Sequence, residues 1–130
     1  MFSLAFFDDY NTLWANINNQ GEKKMALKHA NDANFSETIG DGITLVDFWA
    51  IWCGPCRMFG PIFESVSEKM PDVDFVKFEI DDTNRQTPAK FGIRSIPSIL
   101  AFKGGELVEA RTGLMDEQTV IQWINELKAS

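Results

Sequence analysis

Cysteine is scarce in this 130-residue chain: there are two, Cys53 and Cys56, three positions apart. Small secreted domains stapled by disulfides carry more of them, spread along the chain, so that class is set aside. The single histidine, His29, and the lack of a second cysteine pair leave too few ligands for a closed tetrahedral zinc site. Basic residues are few as well. Twelve Lys and Arg face nineteen Asp and Glu, a net charge of −7. No basic stripe of the kind a phosphate backbone needs is visible, so nucleic acid is not an expected partner. No apolar run approaches the roughly eighteen residues of a membrane-spanning helix, which excludes a membrane anchor of that type. The apolar start at Phe2, Leu4, Ala5, Phe6 and Phe7 has no Lys or Arg before Lys23 and is broken by Asp8 and Asp9, unlike a secretion signal. A cytoplasmic location is expected.

What the chain does have is material for one core. Hydrophobic residues make up 45% of it, with eleven Phe and four Trp, at a length typical of a single domain. A polar stretch at residues 18–24 divides it into an N-terminal extension, 1–24, and a compact domain, 25–130. In the domain, residues 26–28 read as a short strand and 34–39 as a short helix ended by Gly40 and Gly42. Residues 43–50 are nearly all apolar, as in a strand buried on both faces. A helix is predicted over 55–70, with Pro55 in its first turn and Pro61 inside it, where it should introduce a kink. A strand at 75–80, a helix at 83–91, and a hairpin of 98–103 with 106–112 around Gly104-Gly105 follow. A closing helix over 116–128 carries Val120, Ile121, Trp123, Ile124 and Leu127 on its apolar side. The pattern implies an α/β fold, a central mixed β-sheet flanked by helices.

The chemistry concentrates at Trp52-Cys53-Gly54-Pro55-Cys56, directly after the buried strand and at the opening of a helix. A cysteine at a helix N-terminus faces unpaired backbone N–H groups and the positive end of the helix dipole, which stabilise a thiolate. The thiolate is the form that attacks a disulfide, so Cys53 is the candidate nucleophile. Cys56, one turn on, is placed to resolve the mixed disulfide. Two inert core cysteines are the plain alternative, and a strand-to-helix junction argues against it.

Asp47 lies among Leu45, Val46, Phe48 and Trp49, so its carboxyl must point into a core, where carboxylates seldom sit without a partner or a task. Lys77, at the matching position of the next strand, is its candidate partner. Asp47 is then either a proton acceptor for the Cys56 thiol or half of a structural ion pair, and alternation alone does not separate the two. Pro97 precedes a strand; from the residues alone it reads as a strand start.

Taken together these residues resemble the thioredoxin family. The resemblance rests on Val46-Asp47-Phe48-Trp49-Ala50, Trp52 through Met58, Pro61, Lys77, Ile80-Asp81, Phe91-Gly92-Ile93-Arg94, Ile96-Pro97, Phe102-Lys103, Gly105 and Gly113, and covers about residues 25–130. It implies the thioredoxin fold and a cis peptide at Pro97 facing the cysteines. It implies a substrate groove at Trp52, Gly54, Pro55, Ile96, Pro97 and Gly113. It further implies a monomeric protein-disulfide reductase with no cofactor bound, which draws electrons from NADPH through a flavoprotein thioredoxin reductase and reduces disulfide-containing cytoplasmic proteins. The Gly-Pro between the cysteines, rather than the Pro-His of periplasmic oxidants, favours a reductant. Ile51, Arg57 and Ser95 depart from common family choices, and Ile51 and Ser95 flank the groove. The alternative is a binding or assembly subunit on the same fold with incidental redox activity.

The extension lies outside that resemblance. Phe6, Phe7, Tyr10, Leu13, Trp14 and Ile17 follow helical spacing, which predicts an amphipathic helix over residues 3–18 that must bury its face somewhere. Met25-Ala26-Leu27-Lys28, however, looks like a natural start. The preceding Gln20-Gly21-Glu22-Lys23-Lys24 can be encoded by CAA-GGA-GAA-AAA-AAA, a purine-rich bacterial ribosome-binding sequence at workable distance from an ATG. The expectation is that translation naturally begins at Met25. A chain starting there should then keep full activity and nearly the same melting temperature. A stability loss above roughly 2 kcal/mol, the worth of one well-buried aromatic side chain, would make the extension a genuine structural element instead.

Overall fold

The computed structural model describes residues 27–130; the helix expected over 3–18, the start expected at Met25, and Ala26 of the first expected strand lie outside the described residues. Strand β1 (Leu27–Ala30) leads through helix α1 (Phe35–Thr38) to β2 (Ile43–Trp49), then α2 (Gly54–Lys69), β3 (Asp74–Glu79) and α3 (Gln86–Lys90). Strands β4 (Ser98–Lys103) and β5 (Glu106–Thr112) form the hairpin, and α4 (Glu117–Ala129) closes the chain. The hairpin falls at its expected bounds. The third helix is shorter than predicted: residues 83–85 instead form a turn in which Asp81 Oδ1 accepts from the Thr83 N–H at 2.9 Å and from its hydroxyl at 2.8 Å.

The sheet order is β1-β3-β2-β4-β5. β2 runs parallel to β3 and antiparallel to β4, and β1 is parallel to β3. Central β2 is clasped on both edges and covered on both faces, which explains why its sequence shows no polar alternation. One face packs Leu45, Phe75, Ile99 and Ala101 against Phe59, Phe63 and Val66 of α2 and Val120, Trp123 and Ile124 of α4. The opposite face packs Val46, Phe48, Val76, Phe78, Leu100 and Phe102 under Phe35. There the rings of Phe48 and Phe78 stand 5.1 Å apart and those of Phe35 and Phe91 5.6 Å.

Two polar arrangements fix the helices over the first face. Glu117 accepts from the Ser65 hydroxyl at 2.8 Å and pairs with Lys69, which ties α4 to α2. Lys103 donates to the Leu127 carbonyl at 2.9 Å, placing a cation at the negative end of α4. Helix α2 is unbroken through Pro61, which has no N–H to donate to the Arg57 carbonyl; packing of its apolar face outweighs the lost bond. Phe48 is fully buried within the aromatic cluster, beside Phe35 and Phe78. Phe48→Ala should therefore cost about 3–5 kcal/mol in denaturant unfolding, from lost transfer energy plus the cavity left behind.

Candidate functional site

β2 ends and α2 begins within a few residues, and the cysteines occupy that junction. The Cys53 N–H donates to the Ala50 carbonyl at 3.1 Å, turning the chain sharply. Cys53 is extended, with φ −95° and ψ 114°, and forms the N-cap of α2. Its Sγ accepts the Cys56 backbone N–H at 3.2 Å, standing where a serine or aspartate oxygen stands in an ordinary cap. Pro55 takes the first turn, where a missing N–H costs nothing. The two cysteines are joined as a disulfide with their Cα atoms 5.3 Å apart. Cys53 is 6% exposed and Cys56 1%, so of the pair the first-turn sulfur is the more enclosed.

Two further segments reach this junction. Cys53 Sγ lies 3.8 Å from the Ile96 carbonyl oxygen, and Ile96 and Trp49 pack against Ala50 and the two cysteines. The Ile96–Pro97 peptide is cis, as the family resemblance implies. The Gly113 N–H donates to the Pro97 carbonyl at 2.8 Å, and Gly113 has φ +100°, a conformation that favours glycine. Trp52, the residue before Cys53, is 75% exposed, and Gly54 and Pro55 are exposed as well. Ile51 and Met58 add exposed apolar surface, and Met58 and Arg57 border a shallow depression with Gly54 and Pro55. Among the described residues, no three His, Cys, Asp or Glu side chains are grouped to hold a metal ion.

Asp47 is fully buried, and neither carboxyl oxygen has a hydrogen-bond partner. Strand alternation sets it on the face of Leu45 and Trp49, beneath α2. Burial pushes its carboxyl up to about 7, against an opposing pull from the Lys77 ammonium. Lys77 is its direct neighbour in the β2–β3 register, yet the two form no ion pair within 4.0 Å. The Lys77 ammonium instead lies 4.7 Å from the centroid of the Trp49 ring. The sequence pairing of Asp47 with Lys77 is thus met in position and not in contact. Trp49 was missed as a member of this group, although its i+2 relation to Asp47 was enough to put it on the same face.

Comparison with known proteins agrees with this geometry. The family model described as Thioredoxin matches residues 26–126. A thioredoxin of Bacillus subtilis is 39% identical over 102 residues, 78% of this chain and 97% of the relative. One of Rickettsia prowazekii is 40% identical over 102 residues, covering 76% and 96%, and one of Rickettsia bellii 44% over 97 residues, covering 72% and 91%. With its cysteine pair closed at the head of a helix on a mixed five-stranded sheet, the chain belongs to the thioredoxin family and is a thiol-disulfide oxidoreductase.

Proposed function

We propose that this protein reduces disulfides in cytoplasmic proteins as a monomer and is recharged by an NADPH-dependent flavoprotein reductase, no cofactor being bound to its own chain. The observation that carries this reading is the capped sulfur of Cys53, which accepts a backbone N–H at the positive end of α2 and lies 3.8 Å from the carbonyl oxygen of Ile96, just ahead of β4. In the reduced protein those same features stabilise a Cys53 thiolate. That thiolate attacks one sulfur of a target disulfide. The Cys53–target bond forms, the target S–S bond breaks, and the released target sulfur takes up a proton. Cys56 then gives its proton to the Asp47 carboxylate and attacks Cys53 Sγ. The Cys53–Cys56 disulfide closes and the second target thiolate leaves. The target gains two electrons and the dithiol loses them. The reductase reverses the balance on this chain.

Trp52, Gly54, Pro55, Ile96, Pro97 and Gly113 form the proposed groove for an extended target segment. Gly54 and Pro55 leave the approach to the sulfurs low, and Trp52 offers an apolar wall. Lys77 moderates the charge on Asp47 without contacting it. A pure assembly subunit would gain nothing from an unpartnered carboxyl behind its cysteines, since such burial is costly. On the same reading, residues 25–130 are the whole working domain and 1–24 an addition to it.

The order of attack is open to a direct check. Cys56→Ser should accumulate mixed disulfides with target proteins, resolved by non-reducing electrophoresis, while Cys53→Ser should trap essentially none. Equal trapping by both would reject Cys53 as the attacking thiol.

Asp47 should oppose stability while aiding turnover. Its folded carboxyl holds a proton to about pH 7, whereas the unfolded one releases it near pH 4. The folded state therefore binds more protons across that window and loses stability as pH rises through it, by roughly 4 kcal/mol in all. Asp47→Ala should melt above the parent protein at pH 8.5 and lose that advantage at pH 4.5, where the parent carboxyl is neutral. It should also reduce a model protein disulfide more slowly, and the deficit should shrink as pH falls below 7, where the parent carboxyl already holds a proton. A lower melting temperature at pH 8.5 would mean that Lys77 compensates the carboxylate in full.

A further inference from the structure

Apart from Lys23 and Lys24, every lysine and arginine of this acidic chain falls among the described residues. Lys28, Lys69, Arg85, Arg111 and Lys128 each pair with a carboxylate within 4.0 Å. Lys103 donates to carbonyls at the end of α4, and Lys77 and Lys90 lie over the rings of Trp49 and Phe91. Among the described residues, Arg57 and Arg94 alone have no carboxylate, carbonyl or ring for their charge. Both stand at the cysteine turn. Arg57 is in the first turn of α2, where its N–H donates to the Cys53 carbonyl at 3.1 Å, and it borders the depression at Gly54 and Pro55. Arg94 comes two residues before Ile96, whose carbonyl oxygen lies 3.8 Å from Cys53 Sγ. Both arginines are exposed. Three segments meet at this turn, residues 48–58, 91–98 and 112–115, and these arginines are the only charges in them. The carboxylates around them are engaged locally, Asp81 with Thr83, Asp82 with Arg85 and Asp116 with the first turn of α4. Glu79, half-buried at the end of β3, pairs with neither arginine.

We infer that Arg57 and Arg94 are specificity-determining residues, and that the protein acts preferentially on disulfides flanked by Asp or Glu. The inference names a target class for the reduction proposed above and rests on that reading. A target cysteine held at Cys53 Sγ brings its neighbouring residues over the first turn of α2 and the segment ahead of β4. A carboxylate there meets a guanidinium fork that no group of this chain occupies. A lysine or arginine there meets two like charges and, in the three meeting segments, no anion. Exposed ion pairs add little to affinity, so the preference falls on the rate of productive encounter. The net charge of −7 opposes an acidic target from a distance, and salt decides between the two effects. At an ionic strength of about 0.15 M, charges beyond about 8 Å are largely screened and the two arginines dominate; at about 1 M they are screened as well.

The test uses three synthetic peptide homodisulfides of equal length, with Glu, Ser or Lys at the positions flanking a single cysteine. Each is symmetric, so either sulfur presents the same neighbours to Cys53. The reduced full-length protein is mixed with each peptide, quenched in acid, and the released thiol is measured by chromatography. At about 0.15 M salt the Glu peptide should be reduced about tenfold faster than the Lys peptide, and at about 1 M the two rates should converge. Arg57→Gln and Arg94→Gln should each lower that ratio about threefold, and the double variant should abolish it. Arg57→Lys, which keeps the charge, should retain most of it. Ile51→Glu, which adds a carboxylate to the exposed turn, should lower it. Equal reduction of the Glu and Lys peptides by the parent protein would overturn the inference. So would a ratio that survives in the double variant while all three peptides slow in proportion, since the arginines would then act on the sulfurs or the fold. Failure of the parent to reduce even the Ser peptide would overturn the reductase reading itself, which separates that failure from a failure of the arginines.

Discussion

Strand β2 must end and helix α2 must begin between Trp49 and Gly54, and neither partner can move to ease the turn. β2 is paired on both edges and sealed on both faces. α2 is pinned by Phe59, Phe63 and Val66, and by the tie from Glu117 to Ser65 and Lys69. The first backbone N–H groups of α2 have no carbonyls behind them, so something in the turn must accept from them. Cys53 does so with its sulfur. The redox group is thereby also a structural cap, and the positive field that stabilises its anion comes from the backbone rather than from a charged side chain. That matters in a chain of net charge −7, whose acidic surface would otherwise disfavour a thiolate.

The same clamping explains the isolation of Asp47. A carboxyl on a mobile or edge strand would turn toward water or draw water to itself. On β2 it has nowhere to go, and both oxygens stay without partners. Lys77 approaches in register and stops short, its ammonium resting over an indole ring instead of on the carboxylate. A closed ion pair would hold Asp47 ionised well below neutrality and so weaken it as a base. Kept apart, the pair leaves the carboxyl near 7, a value suited to the proton transfer proposed for it. On the proposed mechanism local stability is given up at the site of the chemistry, while the aromatic layer around Phe35, Phe48 and Phe78 stabilises the fold elsewhere.

The elements with strong local signals were legible in the sequence. The unbroken apolar run of β2, the Gly104-Gly105 hairpin and the helical stripe of α4 each declare themselves in a few neighbouring residues. Cys53 and Cys56 were legible because helix-start chemistry is local. Asp47 was legible as an anomaly, a charge in an apolar strand. Its separation from Lys77 was not, because that depends on where the Lys77 ammonium settles against the Trp49 ring. The turn at residues 83–85 was misread as helix because Asp81 diverts the backbone through side-chain bonds that propensity does not register.

The convergence of the groove follows from strand register and needs no contact of its own. Phe48, near the end of β2, pairs with Ser98, the first residue of β4. Because those strands are antiparallel, whatever precedes Ser98 must lie beside whatever follows Phe48, and so Ile96 and Pro97 arrive at the cysteine turn. Ser98 pairs in turn with Thr112, the last residue of β5, which delivers Gly113 to the Pro97 carbonyl. A slip of one residue between β2 and β4 would send Leu100 and Ile99 to the wrong faces, and both faces are packed solid. The position of Ile96 against Cys53 is thus enforced by hydrophobic burial along β4. Residues of the proposed groove can then vary, as at its flanks Ile51 and Ser95, without disturbing the strand register that sets Ile96 beside the cysteines.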